Sequence, residues 1–339
     1  MFSVDAAVLV YLRRVRSVSQ WRAAMLCTLG AGVVLAGVLG GGHFRIFRLV
    51  AFGVFLHAVL VLAGAAIVLR NSLPRTAVGS AIACVFILVV ALEGFLVEPT
   101  WLEVSHVRLV SPKLDQPVRI VVLADLQTDA LGSYEKAVFR RVLQEKPDLI
   151  LLAGDYLQGP RGQQAELRWE FNSFLRRIHF AAPAGVFAVR GNVDGNDWGE
   201  LFAGLPITAV DTTRSFDVAG LRLTCLSCGD SFHPTLELRS NDPHRFHLAL
   251  GHCPNFALGA VEADLLLAGH THGGQVRLPF LGPVMTHCAV PRDWAAGLTE
   301  LPGGNRLLVS RGVGMERAYA PRLRLLCRPE LVVVDLVPE

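Results

Sequence analysis

The stretch that decides the fold is Asp264-Leu265-Leu266-Leu267-Ala268-Gly269-His270-Thr271-His272-Gly273-Gly274-Gln275. Its first half is a short apolar run, which is typical of a strand buried in a sheet. Two imidazoles one residue apart follow at the strand's end, on a turn whose glycines let it close around a small charged object. We therefore predict a buried strand that ends in a metal-binding turn. Considered alone, the stretch is also compatible with two solvent-exposed loop histidines.

Four segments upstream share this design of an apolar run followed by polar side chains. The apolar runs are 118–124, 148–153, 185–190 and 247–250. The polar segments that follow them are Asp125-Leu126-Gln127, Gly154-Asp155, Gly191-Asn192-Val193-Asp194 and Gly251-His252. Strands this apolar are buried on both faces, so helices or a second sheet must cover them. The helical spacing in 134–145, which Pro147 closes, predicts one such helix.

Polar groups at the carboxyl ends of neighbouring buried strands converge on one crevice. The convergent set predicted here is Asp125, Gln127, Asp155, Asn192, His252, His270 and His272. These side chains offer oxygen and nitrogen but no thiolate, which suits Mn²⁺, Fe or Zn²⁺ better than it suits a structural cysteine-zinc site. A carboxylate such as that of Asp155 can bridge two ions, and two ions about 3.5–4 Å apart can clamp a phosphoryl group.

The first hundred residues differ in composition from the rest of the chain. The sequence is 52% hydrophobic and 18% charged, with a mean hydropathy of +0.43, which is too apolar for one ordinary soluble protein. The excess lies in residues 23–42, 49–69 and 76–97, each about long enough to cross a hydrocarbon core of roughly 30 Å as a helix. Buried helices of a globular domain would normally show a polar face. We predict an all-α transmembrane region in 1–100 and a separate domain in 105–339.

The arginines beside these spans predict the orientation in the membrane. With the N-terminus in the cytoplasm, Arg45 and Arg48 lie outside, and six others lie inside: Arg13, Arg14, Arg16, Arg22, Arg70 and Arg75. Three spans then place the second domain on the outer, periplasmic face of the cell membrane. An additional short helix in residues 5–12 would reverse that placement.

Composition also argues against two other classes of protein. The net charge is only +3 and no Lys/Arg tract with interleaved aromatics occurs, so we expect no nucleic-acid partner. The spans carry no acid or base except His57 and Glu93, which disfavours a small transporter. The sequence leaves the oligomeric state open.

The five polar segments together resemble the calcineurin-like metallophosphoesterases. The tail, Val309-Ser310-Arg311-Gly312-Val313-Gly314 with Pro329-Glu330-Leu331, is similar to that of their bacterial membrane-anchored branch. The resemblance covers about residues 105–339 and implies an α/β fold, a four-layer αββα sandwich of two mixed β-sheets. It also implies a first metal held by Asp125, Asp155 and His272. The second metal would be held by Asp155 as a bridge together with Asn192, His252 and His270.

Two positions depart from the family's pattern. Gln127 stands where the family usually has histidine, and its amide oxygen is a poorer ligand for Mn, Fe or Zn than imidazole. We therefore expect a weaker first site, or one that prefers Mn²⁺ or Mg²⁺. Val193 stands where the family has a histidine that protonates the leaving oxygen, a contribution of about 10²–10⁴-fold in general acid catalysis. Asp129 is a candidate extra ligand, and His233 and Asp197 are candidate replacement acids.

These observations predict a membrane-anchored metallophosphoesterase with two divalent ions, drawn from Mn, Fe, Zn and Mg. The expected reaction is hydrolysis of a phosphoester or phosphoanhydride by metal-activated hydroxide, with Asp155, Asn192 and His252 as the predicted catalytic residues. The anchor makes a lipid-linked phosphate a reasonable substrate. The alternative is a catalytically weakened module that binds or senses a metal or phosphate, as Gln127 and Val193 together suggest.

Overall fold

The computed structural model describes residues 2–339, without the side chain of residue 161. It divides into two compact units. One contains the chain up to Val97 together with Ala318–Arg322, and the other contains Glu98–Arg317 and Leu323–Glu339.

The first unit is helical, with α1 (Phe2–Leu12), α2 (Val18–Gly40), α3 (His43–Val68) and most of α4 (Pro74–Thr100), whose last three residues belong to the second unit. By length and composition α2, α3 and α4 could each cross a membrane, and they overlap the three predicted spans. The 11 residues of α1 extend only about 16 Å at 1.5 Å per residue. That is too short to cross a core of roughly 30 Å, so the periplasmic placement stays a prediction.

The two ionisable residues inside the predicted spans both lie in π-helical turns, His57 in Gly53–Ala58 and Glu93 in Glu93–Val97. His57 Nδ1 lies 2.6 Å from Asp5 Oδ2 of α1, and both side chains are mostly buried. A polar group in an apolar environment requires such a partner, so this pair ties α1 to α3.

The second unit contains sixteen strands and three further helices. In chain order the strands are β1 (Glu103–Val110), β2 (Val118–Leu123), β3 (Leu149–Leu152), β4 (Val186–Val189), β5 (Thr208–Val210), β6 (Arg214–Val218), β7 (Leu221–Cys225), β8 (Glu237–Leu238), β9 (His247–Leu250), β10 (Ala260–Val261), β11 (Leu265–Ala268), β12 (Arg277–Leu278), β13 (Gly282–Pro283), β14 (Gly297–Glu300), β15 (Arg306–Val309) and β16 (Glu330–Val337). The helices are α5 (Ser133–Gln144), α6 (Gln164–Arg177) and the short α7 (Cys228–Phe232).

Twelve of these strands form two mixed sheets of six. Their orders are β1-β16-β2-β3-β4-β5 and β14-β15-β11-β9-β7-β6. Strands β2 to β5 run parallel to one another, as do β7, β9, β11 and β15. The five strands predicted from the sequence are β2, β3, β4, β9 and β11, each within one residue of its expected bounds. Their carboxyl ends carry all the predicted site residues.

The sheets pack face to face, and each has an outer covering. Side chains such as Ile120 and Leu151 of the first sheet and Leu248 and Leu267 of the second share one buried core. The opposite face of the first sheet packs against α5 and α6, whose apolar residues recur at helical spacing. The outer face of the second sheet is covered largely by short helical turns around Phe256. The predicted four-layer αββα sandwich, preceded by apolar helices, is confirmed.

Candidate metal centre

The turns after five parallel strands bring the predicted residues together. Asp125 N donates to the carbonyl of Gly154 at 3.1 Å, which joins the turns after β2 and β3. His252 Nδ1 lies 2.8 Å from the carbonyl of Ala153, which joins the two sheets at the same edge. His270 N lies 3.0 Å from both carboxylate oxygens of Asp125, which closes the ring of turns.

Four of the predicted ligands converge on a single point. His252 Nε2 lies 3.0 Å from Asn192 Oδ1, 3.3 Å from Asp155 Oδ2 and 3.2 Å from His270 Nδ1. The ligand atoms of Asp155, His252 and His270 all lie within 4.8 Å of one another. This group is the set that the resemblance assigns to the second metal.

The hydrogen bonds of the two histidines fix which ring nitrogen faces this point. His252 Nδ1 faces the Ala153 carbonyl, and His270 Nε2 faces the His287 carbonyl at 3.3 Å. Because a carbonyl only accepts, these nitrogens carry the protons in the neutral rings, and the other nitrogens present lone pairs. With both rings neutral, four acceptor atoms face one another without a donor between them, and a cation would stabilise that arrangement.

The residues assigned to the first metal are buried. Asp125 is fully buried, and Gln127 and His272 are 1% and 8% exposed. Among the described residues, Gln127 Oε1 and His272 Nδ1 are buried atoms without a hydrogen-bond partner. A buried acceptor left unpaired costs about 1–3 kcal/mol. Two such atoms, from residues predicted to face one metal, fit a cation that they would share.

The backbone at these residues is strained. Five of the seven predicted ligands are non-glycine residues in the left-handed region, with φ of 51° at Asp125, 39° at Gln127, 57° at Asp155, 68° at His270 and 48° at His272. Residues held in this region cost of order 1–3 kcal/mol each and cluster at functional sites. The turns therefore direct these side chains inward at the expense of stability.

The electrostatics of the centre follow from its burial. Burial raises the pKa of Asp125 to about 7 and lowers the pKa of His270 to about 4. Burial also lowers the pKa of His272 well below its usual value. It disfavours a charged His252 as well, but the adjacent Asp155 outweighs this and raises the pKa of His252 to about 9. The protein groups alone therefore leave His252 charged, and a metal that binds there must displace its proton.

Three residues around the centre were not singled out from the sequence. Asp194 accepts from the backbone N–H groups of Asp155, Tyr156 and Gly191, each at 2.8 Å, and so fixes the turn that presents Asp155. The ring of Phe232 packs edge-on against His270 at 4.9 Å between centroids. Glu316 accepts a hydrogen bond from Gln127 at 3.1 Å. Asp194 belongs to the Gly-Asn-x-Asp motif and could have been recognised there, whereas no motif in the sequence contains Phe232 or Glu316.

The three sequence candidates for a replacement ligand or acid make other contacts. Asp129 Oδ1 lies 3.7 Å from Arg317 Nη1. Asp197 is half exposed and forms an ion pair with Arg168 of α6. His233 is exposed, with its Nδ1 3.2 Å from the hydroxyl of Thr235. The Val193 backbone N–H donates to Asp155 Oδ1 at 2.9 Å, but its side chain offers no acid.

Comparison with known proteins agrees with this geometry. The profile of the calcineurin-like phosphoesterase family matches residues 118–274. The phosphodiesterase YaeI of Escherichia coli (strain K12) is 32% identical over 263 residues, which cover 71% of this chain and 90% of that protein. The uncharacterized metallophosphoesterase YkuE of Bacillus subtilis (strain 168) is 31% identical over 219 residues, 59% of this chain and 72% of that protein.

Among solved structures, Yfce, a phosphoesterase from E. coli, is 18% identical and has a TM-score of 0.31. The match covers 60% of this chain and 85% of the Yfce chain. Because YaeI is more than 30% identical and is matched over nine tenths of its length, the chain is a metallophosphoesterase of the calcineurin-like phosphoesterase family.

Proposed function

We propose that this protein is a membrane-anchored phosphohydrolase that uses two divalent metal ions. The observation that carries the proposal is the convergence of side-chain atoms from Asp155, Asn192 and His270, which lie 3.0–3.3 Å from His252 Nε2. Asp155 and His252 are buried, His270 is partly buried and Asn192 is exposed. Family membership implies divalent metal, and this geometry supplies a place for one ion. The unpaired Gln127 Oε1 and His272 Nδ1 support a second.

The proposed roles of the residues follow from their positions. Asp125, Gln127, Asp155 and His272 would hold one ion, and Asp155, Asn192, His252 and His270 would hold the other. Bound divalent ions supply Lewis acidity, which polarises a phosphoryl oxygen and makes water nucleophilic near neutral pH. Asp194 keeps the Asp155 turn in place through three backbone N–H groups. Phe232 holds the His270 ring in one orientation.

The metal-dependent activity can be tested with the full chain in detergent. Metal content and hydrolysis of bis(4-nitrophenyl) phosphate with Mn²⁺ would be measured for the wild type, Asp155→Asn and the control Asp197→Asn. Removing the Asp155 carboxylate, which would serve both ions, is expected to lower kcat/KM at least about 100-fold, because even outer-shell partners of metals are worth about 10–100-fold. The control changes an exposed aspartate on the surface and should retain full activity.

Two outcomes would count against the enzyme. Equal activity in the wild type and Asp155→Asn, with each divalent ion tried, would rule out the proposed site for this substrate class. Two bound metals without turnover would favour the weakened metal-binding or phosphate-binding module. The Val193 side chain, which carries no acid, is the observation on which that second reading depends.

An apolar hairpin supports a lipid-linked substrate. Strands β12 and β13 are joined by a tip at which Phe280 is fully exposed and Leu281 is 72% exposed. Both ends of this hairpin segment adjoin the metal-binding turn. A Cβ added at Gly274 would overlap Pro283, and the carbonyl of His287 lies 3.3 Å from His270 Nε2. We propose that the tip contacts the acyl or polyprenyl chain of a lipid phosphate or diphosphate.

The hairpin proposal is tested by comparing two substrates. Phe280→Ser and Leu281→Ser should each lower kcat/KM for a lipid phosphate in mixed micelles by about tenfold or more, since burial of such a side chain contributes about 1.5–3 kcal/mol. Activity on the soluble aryl phosphodiester should be unchanged. Trp169→Ser, which removes an aromatic side chain that is 72% exposed on α6, is the matched control. Equal losses on both substrates would contradict a lipid-contacting role.

We further propose a multi-pass protein of the cell membrane, with residues 1–100 as the membrane region and 105–339 as a domain on the outer face. The arginine distribution supports this orientation. Trypsin added to intact spheroplasts should then digest the catalytic domain, as detected through a C-terminal tag. Digestion only in inside-out vesicles would place the domain in the cytoplasm.

A further inference from the structure

Glu316 lies between two glutamines at the edge of the metal centre. Its Oε2 accepts a hydrogen bond from Gln127 Nε2 at 3.1 Å, and its Oε1 accepts one from Gln158 Nε2 at 2.7 Å. Both amide groups thus turn their N–H₂ ends towards one carboxylate. This carboxylate lies 189 residues along the chain from Gln127.

The contact decides which end of the Gln127 amide faces away from Glu316. A glutamine has an acceptor end and a donor end of nearly the same shape, so its orientation depends on its partners. An ionised carboxylate can only accept, so Glu316 requires the N–H₂ end of Gln127. The oxygen then points away from Glu316, and it is the atom that is buried and unpaired in the described part of the chain.

Glu316 is itself held in place by its surroundings. Its backbone N–H donates to Gln275 Oε1 at 3.1 Å, and the N–H of the next residue, Arg317, donates to Gln158 Oε1 at 2.7 Å. Arg317 Nε also donates to the carbonyl of Gln127 at 2.9 Å. The carboxylate and the glutamine that it orients therefore belong to one network with few alternative arrangements.

We propose that Glu316 is a positioning residue that holds the Gln127 amide with its oxygen towards the first metal. The opposite orientation would direct two N–H donors at a cation and would exclude it. Imidazole, the usual group at this position in the family, needs no such choice between oxygen and nitrogen. Glu316 thus makes an amide usable as a ligand. This inference rests on the proposed two-metal function.

The test measures metal affinity instead of activity. Mn²⁺ binding to the full chain in detergent, followed by the loss of the free-ion EPR signal, gives the number of sites and the Kd of each. Glu316→Gln is expected to weaken the weaker site about 10–100-fold, the range seen when an outer-shell partner is removed. The tighter site should be unaffected. Glu316→Asp, which restores an acceptor-only group, should recover part of the loss.

A double-mutant cycle separates this role from a structural one. If Glu316 acts through Gln127, Glu316→Gln should have no further effect on the weaker site in a Gln127→Ala background. Glu300→Gln, the same change at an 82% exposed side chain, is the matched control.

The outcomes distinguish the two proposals. A wild-type chain that binds no Mn²⁺, or only one ion, would contradict the two-metal function. Two ions bound by the wild type with unchanged affinities in Glu316→Gln would overturn the role of Glu316 alone. Loss of both sites in that variant, or additive effects in the cycle, would show that Glu316 is merely structural and would also overturn the inference.

Discussion

Gly312, in the loop after β15, lies directly against the first predicted ligand. Its φ is +67°, and a Cβ added there would lie 2.6 Å from Asp125 Cβ and 2.7 Å from Asp125 Oδ2. Carbon atoms in van der Waals contact are about 3.5–4.0 Å apart. Gly312→Ala therefore requires Asp125 or the loop to move by about 1 Å.

The cost of this substitution has two parts. A side chain in the left-handed region costs roughly 1–2 kcal/mol, and overpacking a close contact costs typically about 1–3 kcal/mol. We expect Gly312→Ala to lower the free energy of unfolding by about 2–5 kcal/mol. Gly220→Ala is the matched control, because Gly220 has φ of +75° and nothing within 4 Å of the added atom. The control should show only the cost of a side chain in the left-handed region, a loss of about 1–2 kcal/mol in the free energy of unfolding.

Two measurements check the prediction. Urea unfolding followed by tryptophan fluorescence should place Gly312→Ala about 1–3 kcal/mol below Gly220→Ala, which is the overpacking cost alone. Mn²⁺ affinity should fall in Gly312→Ala and stay at the wild-type value in Gly220→Ala, because only the first displaces Asp125. Equal stabilities together with unchanged Mn²⁺ affinity in both variants would refute the reasoning from this contact.

Three further predictions concern the acid, the pH response and the metal. Val193→His should raise kcat about 10²–10⁴-fold for an alkyl phosphodiester and much less for an aryl one. The same ratio of the two kcat values in the variant and the wild type would contradict this. Burial disfavours ionisation of Glu330, but its bonds to Arg311 outweigh this and hold its pKa below the ordinary 4.5. A carboxyl whose pKa is lowered on folding stabilises the fold above pH 4.5, and this stabilisation is lost as the pH falls through the folded-state pKa. The stability lost in Glu330→Gln should therefore be largest at neutral pH and should shrink in acid. A difference in urea unfolding that does not change with pH would count against this. Removing metal with EDTA should lower the Tm, since a ligand at 100 times its Kd adds about 2.7 kcal/mol, and Mn²⁺ should restore it; an unaltered Tm would argue against bound metal.

Much of the fold could be predicted from the sequence, because the strands that bear the site are unusually apolar. Runs such as 149–153 have no polar face, so burial on both sides was the only stable solution for them. The amphipathic spacing of 134–145 predicted α5 for the same reason. The ends of these runs could be placed to within one residue, because glycine and acidic or imidazole side chains interrupt them abruptly.

The surroundings of the site could not be predicted in the same way. Glu316 and Gln127 are 189 residues apart, and no periodicity links a charge in an irregular loop to a turn after β2. Phe232 contacts His270 because α7 packs against the helical turn Pro254–Leu258 that follows β9, which is a consequence of tertiary structure. The short helical turns of the fourth layer likewise have too few residues to produce a recognisable pattern.

The strain and the unpaired atoms of the centre have a common explanation. Left-handed turns at Asp125, Gln127 and His272 destabilise the fold, and so do buried acceptors without donors. A bound cation would offset both costs, because the carboxylate and amide oxygens and the neutral imidazole nitrogens that converge here present lone pairs. At the second-metal set the hydrogen bonds of His252 Nδ1 and His270 Nε2 to carbonyls already orient both rings, so metal binding would displace the His252 proton but would reorient neither ring. At the first-metal set one ligand is an amide that could equally present its donors, so affinity there depends on the carboxylate behind it. The two proposed sites would therefore differ less in the number of their ligands than in how firmly each ligand is oriented.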